Sequence, residues 1–281
     1  MSGLDQVIHI KATYTRSINL ARDAGNLDVL RAYVLTSRAV QALTQIAEGL
    51  HHRAAGRALA LIGPYGAGKS AFALFLSALL SPEPDEARQI ATDLLRAKEP
   101  ALAHCYTQVL NARRGYLRVQ VNGIPDSLVR QLLTALASAA RQAGLSEALV
   151  SDISAGAKAG TPQDQVLTLF RRTQSEWADL GGCGVLVEID ELGKFLEYES
   201  YHPQHREIHL LQLLAEYAYK ASRAPLYLVV ILHQAFEHYS QRLGKQLRSE
   251  WQKVQGRFST LLRRLWRNAI VGWSVTCPPL V

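Results

Sequence analysis

The chain has 281 residues, enough to bury a substantial core as one large domain or as a domain with an appendage. Its 48% apolar and 20% charged content is that of a globular protein and sets aside the disordered classes, and no apolar run reaches the roughly 18 residues of a membrane span. Three scattered cysteines (Cys105, Cys183 and Cys277) form neither a disulfide framework nor a zinc cluster, and residues 1–11 lack the basic-then-apolar pattern of a secretory signal, so the expected compartment is the cytoplasm.

The formal charge of +7 is unevenly spread. Lys245, Arg248, Lys253, Arg257, Arg263, Arg264 and Arg267 face a single acid, Glu250, within residues 245–267. A cluster of this kind suits phosphate, either of DNA or of a nucleotide, and its bland alternative is a solvated helix face.

Residues 1–35 give weak signals and read as a lead-in. A helix is expected from Thr36, which can cap it, through Val40, Leu43, Ile46, Ala47 and Leu50 at helical spacing. The run 58–62 is short, continuous and apolar, as a strand buried on both faces would be. After a glycine-rich loop, 69–80 reads as a buried helix stopped by Pro82 and Pro84. Residues 85–113 predict two helices parted near Pro100, and 116–121 predicts a second strand. The turn 122–125 then leads to a helix with Asp126 as its cap, running to Gly144. Residues 154–160 read as a small-residue linker. Thr161 is the expected cap of the next helix, with Pro162 in its first turn and Asp164 reaching back. Gly181 and Gly182 close that helix before a third strand at 185–189. A helix at 208–221, a fourth strand at 226–232 and a basic helical stretch at 236–265 follow. The tail, 268–281, reads either as a fifth strand or as the abrupt end of something longer. Strands alternating with helices imply an α/β fold with a mainly parallel sheet covered on both faces.

Residues 63–70, Gly63-Pro64-Tyr65-Gly66-Ala67-Gly68-Lys69-Ser70, match G-x-x-x-x-G-K-[ST] completely, with a strand before and a helix after. In that pattern the glycines free the backbone to turn its amides inward as a nest for phosphate oxygens, and the following helix, beginning through Ala71, aims its positive end at the same place. Lys69 is then suited to the β- and γ-phosphates, and the Ser70 hydroxyl to magnesium. The third strand ends in Glu188-Ile189-Asp190-Glu191, which puts two carboxylates where strand ends face a ligand crevice. Asp190 is the candidate holder of magnesium and Glu191 the candidate for polarising an attacking water. Glu188, charged inside an apolar strand, reads as structural or as coupled to basic residues.

With an extra strand between the two motifs and a glutamate beside the strand aspartate, the chain resembles the ASCE division of P-loop ATPases. Within that division it looks most like the AAA+ group and its origin-recognition and STAND relatives. The resemblance implies a three-layer αβα sandwich with sheet order 5-1-4-3-2, ATP and Mg2+ as ligands, and service as a motor or switch module of a larger DNA-related or defence system. Self-association, or membership of a larger complex, belongs to the same picture. It also implies a polar sensor at the end of the fourth strand, which falls on His233 and Gln234. An arginine reaching the γ-phosphate, in cis or from a neighbour, falls on Arg248 or Arg257, since 255–258 resembles the glycine-arginine-phenylalanine element of such modules. The domain plan is then a lead-in over 1–35, an ATPase domain over 36–267 with a helical insertion at about 83–114, and a tail. A nucleotide-gated module with little turnover is the alternative, because neither a sensor-2 arginine nor a helical lid is evident.

Asp190-Glu191-Leu192-Gly193 also fits the D-x-x-G of GTPases, but no N-K-x-D element occurs. Tyr33 and Thr36 are candidates for flanking adenine, against ordinary packing roles. His202, His205 and His209 share a helix face, although Pro203 interrupts it.

Overall fold

The computed structural model describes residues 18–51, 56–110, 113–202, 207–220, 223–234 and 252–260. Its strands are β1 (Ala58–Ile62), β2 (Arg114–Asn122), β3 (Gly182–Asp190), β4 (Leu226–Leu232) and β5 (Ser259–Thr260). They form one sheet in the order β2-β3-β4-β1-β5, with parallel pairing throughout. Parallel neighbours need crossovers that carry chain over the sheet faces, so their residues are apolar on both sides. β3 and β4 are buried at every position.

Two layers of helix cover the sheet, and the period-2 alternation of the strands divides the core between them. Leu59 and Leu61 of β1, with Val229 and Ile231 of β4, face one layer. That layer comprises α1 (Leu20–Asp23), α2 (Leu27–Arg31), α3 (Ser37–His51), α4 (Lys69–Leu79), α5 (Glu86–Lys98) and α6 (Pro100–Val109). Ala58 and Ala60, with Leu228 and Val230, face the other. There lie α7 (Leu128–Gln142), α8 (Glu147–Gly156), α9 (Gln163–Asp179), α10 (Leu192–Tyr201) and α11 (Ile208–Ala218). The architecture is α/β with three layers. Among the described residues no helix is long and apolar enough to cross a membrane.

The first and fourth strands fall where their apolar runs predict, and Thr36 caps α3 by accepting the Ala39 amide at 3.2 Å. Four expectations change. Ser127, not Asp126, caps α7: its hydroxyl oxygen accepts the Arg130 amide at 3.1 Å and its proton goes to the buried Glu207 carboxylate at 2.6 Å. Asp126 instead binds the side chains of Gln131 at 2.8 Å and Arg130 at 3.3 Å. The supposed linker is partly helix, because α8 runs to Gly156 and needs a small residue there; a Cβ at Gly156 would come within 3.1 Å of Leu169. Thr161 does not cap α9 but directs its hydroxyl to the carbonyls of Gly156, the last residue of α8, at 2.8 Å and of Lys158 just beyond it at 3.0 Å. The fifth strand lies at 259–260, within the stretch read as helix, where Ser259 and Thr260 pair with Leu59 and Ala60. The tail, 268–281, lies outside the described residues.

Ser127→Ala should lower unfolding stability by about 1–2 kcal/mol, since it removes a cap and leaves the buried Glu207 carboxylate with the Val129 amide but without the hydroxyl. Asp126→Ala should cost within about 0.5 kcal/mol, and urea denaturation of the two variants tests the contrast.

Candidate functional site

Parallel register gathers the candidate residues at the carboxyl edge of the sheet. Ile62 is the partner of Leu232, and the Gly63 amide continues the ladder by donating to the Leu232 carbonyl at 3.2 Å. The glycine-rich loop therefore leaves β1 beside His233, which leaves β4. On the other side, Asn122 at the end of β2 is the partner of Asp190 at the end of β3. The crevice beyond such strand ends is the ordinary ligand position in an open parallel sheet.

Within the loop, Gly66 and Gly68 have φ of +75° and +78°, which side-chain-bearing residues rarely adopt. Gly68 is the N-cap of α4 and supplies no side-chain cap, so the first amides of the helix, from Lys69 to Ala71, have no partner within it. Gly63 departs from expectation. Its φ is not left-handed, and a Cβ there would meet Ala67 at 3.8 Å and Lys69 at 4.0 Å, which is ordinary contact. Ala67 donates to the Pro64 carbonyl at 3.4 Å and closes the loop.

Lys69 is only 5% exposed. Its Nζ donates to the carbonyls of Gly63 at 2.6 Å and Pro64 at 2.8 Å. Burial lowers its pKa, and the charge of Asp190 opposes that shift. Asp190 is 4% exposed. Burial raises its pKa, and the nearby Ser70 side chain and the Glu191 amide, hydrogen-bonded at 2.8 Å, hold the rise back. A buried carboxylate at a strand end, with a serine in the first turn of the helix that follows the loop, is a donor set suited to Mg2+, which commonly takes one or two protein oxygens and keeps several waters.

Glu191 has φ 49° and ψ 41°, the single left-handed residue other than glycine among those described. Its carboxylate is ion-paired with Lys194 and lies 3.8 Å from His233 Nε2, too long for a hydrogen bond. His233 stacks on Tyr65 of the loop with ring centroids 3.4 Å apart, and neither ring nitrogen has a hydrogen-bond partner. Burial lowers the His233 pKa, Lys69 lowers it further, and Glu191 opposes them, so the ring is neutral at pH 7.

Other expected residues lie elsewhere. Arg257 pairs with Glu216 on α11 at 3.0 Å. It precedes Ser259, the partner of Leu59 near the start of β1, and so sits at the edge of the sheet opposite the loop. Arg248 lies outside the described residues and Gln234 is exposed. Tyr33 stacks on Phe75 of α4 at 4.9 Å and Thr36 is a helix cap, both packing roles. His202 binds the Tyr198 carbonyl at 3.0 Å, and His205 is outside the described residues. Among the described residues no group of three or more His, Cys, Asp or Glu is placed to hold a metal.

Sequence reasoning passed over three residues. Lys194 carried a signal, since a lysine three positions after an acid at a helix start is within reach of it. Asn122 shows only through register. Gly123 shows only through packing, because a Cβ there would lie 2.2 Å from the Glu191 carbonyl oxygen.

No family model, curated protein or solved structure matches the chain.

Glu188 is structural in its contacts and unusual in its charge. It is fully buried, takes a hydrogen bond from Gln120 at 3.0 Å on one oxygen, and has no partner on the other. Burial raises its pKa from 4.5 to about 7, against the hydrogen bonds of Gln120 and Ser77. The folded protein therefore holds a proton here that the unfolded chain has lost, and stability falls as pH rises through the window from about 4.5 to about 7. Glu188→Gln should flatten that slope, which is worth on the order of 3 kcal/mol at most. Melting temperatures of both proteins at pH 5 and pH 8 measure it.

Proposed function

We propose that the chain binds MgATP in the loop 63–70 and hydrolyses it, as an ASCE-type P-loop ATPase module. The observation that carries the reading is the buried Lys69 ammonium held at the loop 63–70, with the buried Asp190 carboxylate at the same edge of the sheet. The strand order supports it too, because from β5 the sheet runs β5-β1-β4-β3-β2, the order that the resemblance to AAA+ modules implies.

Phosphoryl transfer to water needs positioned charge more than covalent chemistry. Loop amides and the α4 N-terminus supply fixed partial positive charge. Lys69, held by two main-chain carbonyls, needs only to exchange them for phosphate oxygens. Ser70 and Asp190 would hold Mg2+, which when bound neutralises charge on the β- and γ-oxygens. Glu191 polarises the attacking water, and neutral His233 contributes a polar contact at the same edge. Tyr65 and Pro64 shape the mouth of the loop, while Gly66 and Gly68 let its backbone turn. Arg257 has no place in its own chain's site, so as a finger it would serve only a neighbouring copy. The basic stretch 245–267 remains the candidate DNA contact, to be tested by salt-dependent binding.

A second reading, a nucleotide-gated module with slow turnover, is favoured by one observation: the Glu191 carboxylate is already neutralised by Lys194.

Lys69→Ala should weaken ATP binding about 10- to 100-fold by calorimetry, as expected for losing charge-assisted hydrogen bonds. Glu191→Gln should keep the affinity and slow single-turnover hydrolysis about 10²- to 10⁴-fold. Undiminished hydrolysis by the glutamine variant excludes the water-polarising role.

A further inference from the structure

The carboxylate assigned above to polarise water already has a cationic partner. Glu191 opens α10, and Lys194 sits one turn along, close enough for its ammonium to bond the Glu191 carboxylate directly. Backbone geometry fixes this meeting. Glu191 is left-handed at φ 49°, its carbonyl accepts the Lys194 amide at 3.0 Å, and its amide is tied to Asp190 at 2.8 Å. The Gly123 backbone donates to the Asp190 carbonyl at 2.8 Å and packs against the Glu191 carbonyl so closely that no side chain fits. Glu191 thus cannot drift along the strand end; only its side chain is free to choose partners. The choice lies between Lys194 on one side and His233, beside Lys69 and the loop, on the other.

We propose that Lys194 is a positioning residue that restrains turnover by holding the Glu191 carboxylate away from the attacking water, so that hydrolysis waits on release of this ion pair. The inference rests on the ATPase reading. A carboxylate bonded to an ammonium is aimed at the cation rather than at a water, and that opposes polarising the water. The Lys194 side chain is 46% exposed, so water competes for the pair and the restraint is modest and reversible. That places Lys194 where a partner carrying an acidic group could take it over and free Glu191.

Lys194→Met should raise kcat about two- to fivefold, the scale of an exposed ion pair, with the MgATP Kd unchanged. Lys194→Arg should return kcat to the wild-type value. The pairing itself is read without turnover: an amine-selective label, followed by mass spectrometry of the Lys194 peptide, should modify Lys194 several-fold faster in Glu191→Gln than in the wild type. Equal labelling rates overturn the pairing, and a Lys194→Met enzyme no faster than wild type overturns the restraint. If Lys69-dependent MgATP binding is present in either case, the proposed function stands and only the restraint falls. Absence of that binding removes the function and the restraint together.

Discussion

A lysine ammonium taken out of water must find oxygen partners, and Lys69 finds two main-chain carbonyls of the loop that precedes it. This small ring of contacts depends on everything around it. The carbonyls are placed by a loop that turns through two left-handed glycines, and the loop is placed by the pairing of β1 with β4. The opposing charge, Asp190, comes from β3 on the far side of β4, so three parallel strands have to keep register for one cation to be balanced. A slip of one residue would turn each strand's side chains to the other face and move Asp190 out of line with the loop.

The same edge shows how the fold divides work between rigid and adjustable parts. Strand ends and the α4 N-terminus are set by main-chain bonds. Tyr65, His233, Glu191 and Lys194 meet through side chains that can exchange partners. Fixed dipoles with charged side-chain tips that can change partners suit the proposed binding of a highly charged ligand.

Much of this was legible in the sequence because it is local. The loop motif, the strand before it and the acidic end of β3 are contiguous runs whose residue types carry their own geometry. Pro100 and Thr36 marked helix boundaries for the same reason. What the sequence hid depends on residues far apart. Ser127 outcompetes Asp126 as a cap because Glu207, eighty positions away, takes its proton. The small residues 154–160 look like a linker, but α8 extends to Gly156, where Leu169 of α9 comes so close that a side chain would crowd it. Arg257 reads in the sequence as an arginine that reaches a γ-phosphate in its own or a neighbouring chain, and the direction of β5 places it at the edge opposite its own loop. Gly123 shows no pattern at all, since its role is a close approach between two strand ends.

Hydrogen exchange of the loop amides with and without MgATP tests the central claim most directly. The account predicts marked slowing confined to residues 65–71 and the ends of β3 and β4, lost in Lys69→Ala. Unchanged exchange across 65–71 at saturating MgATP would contradict a triphosphate seated on those amides.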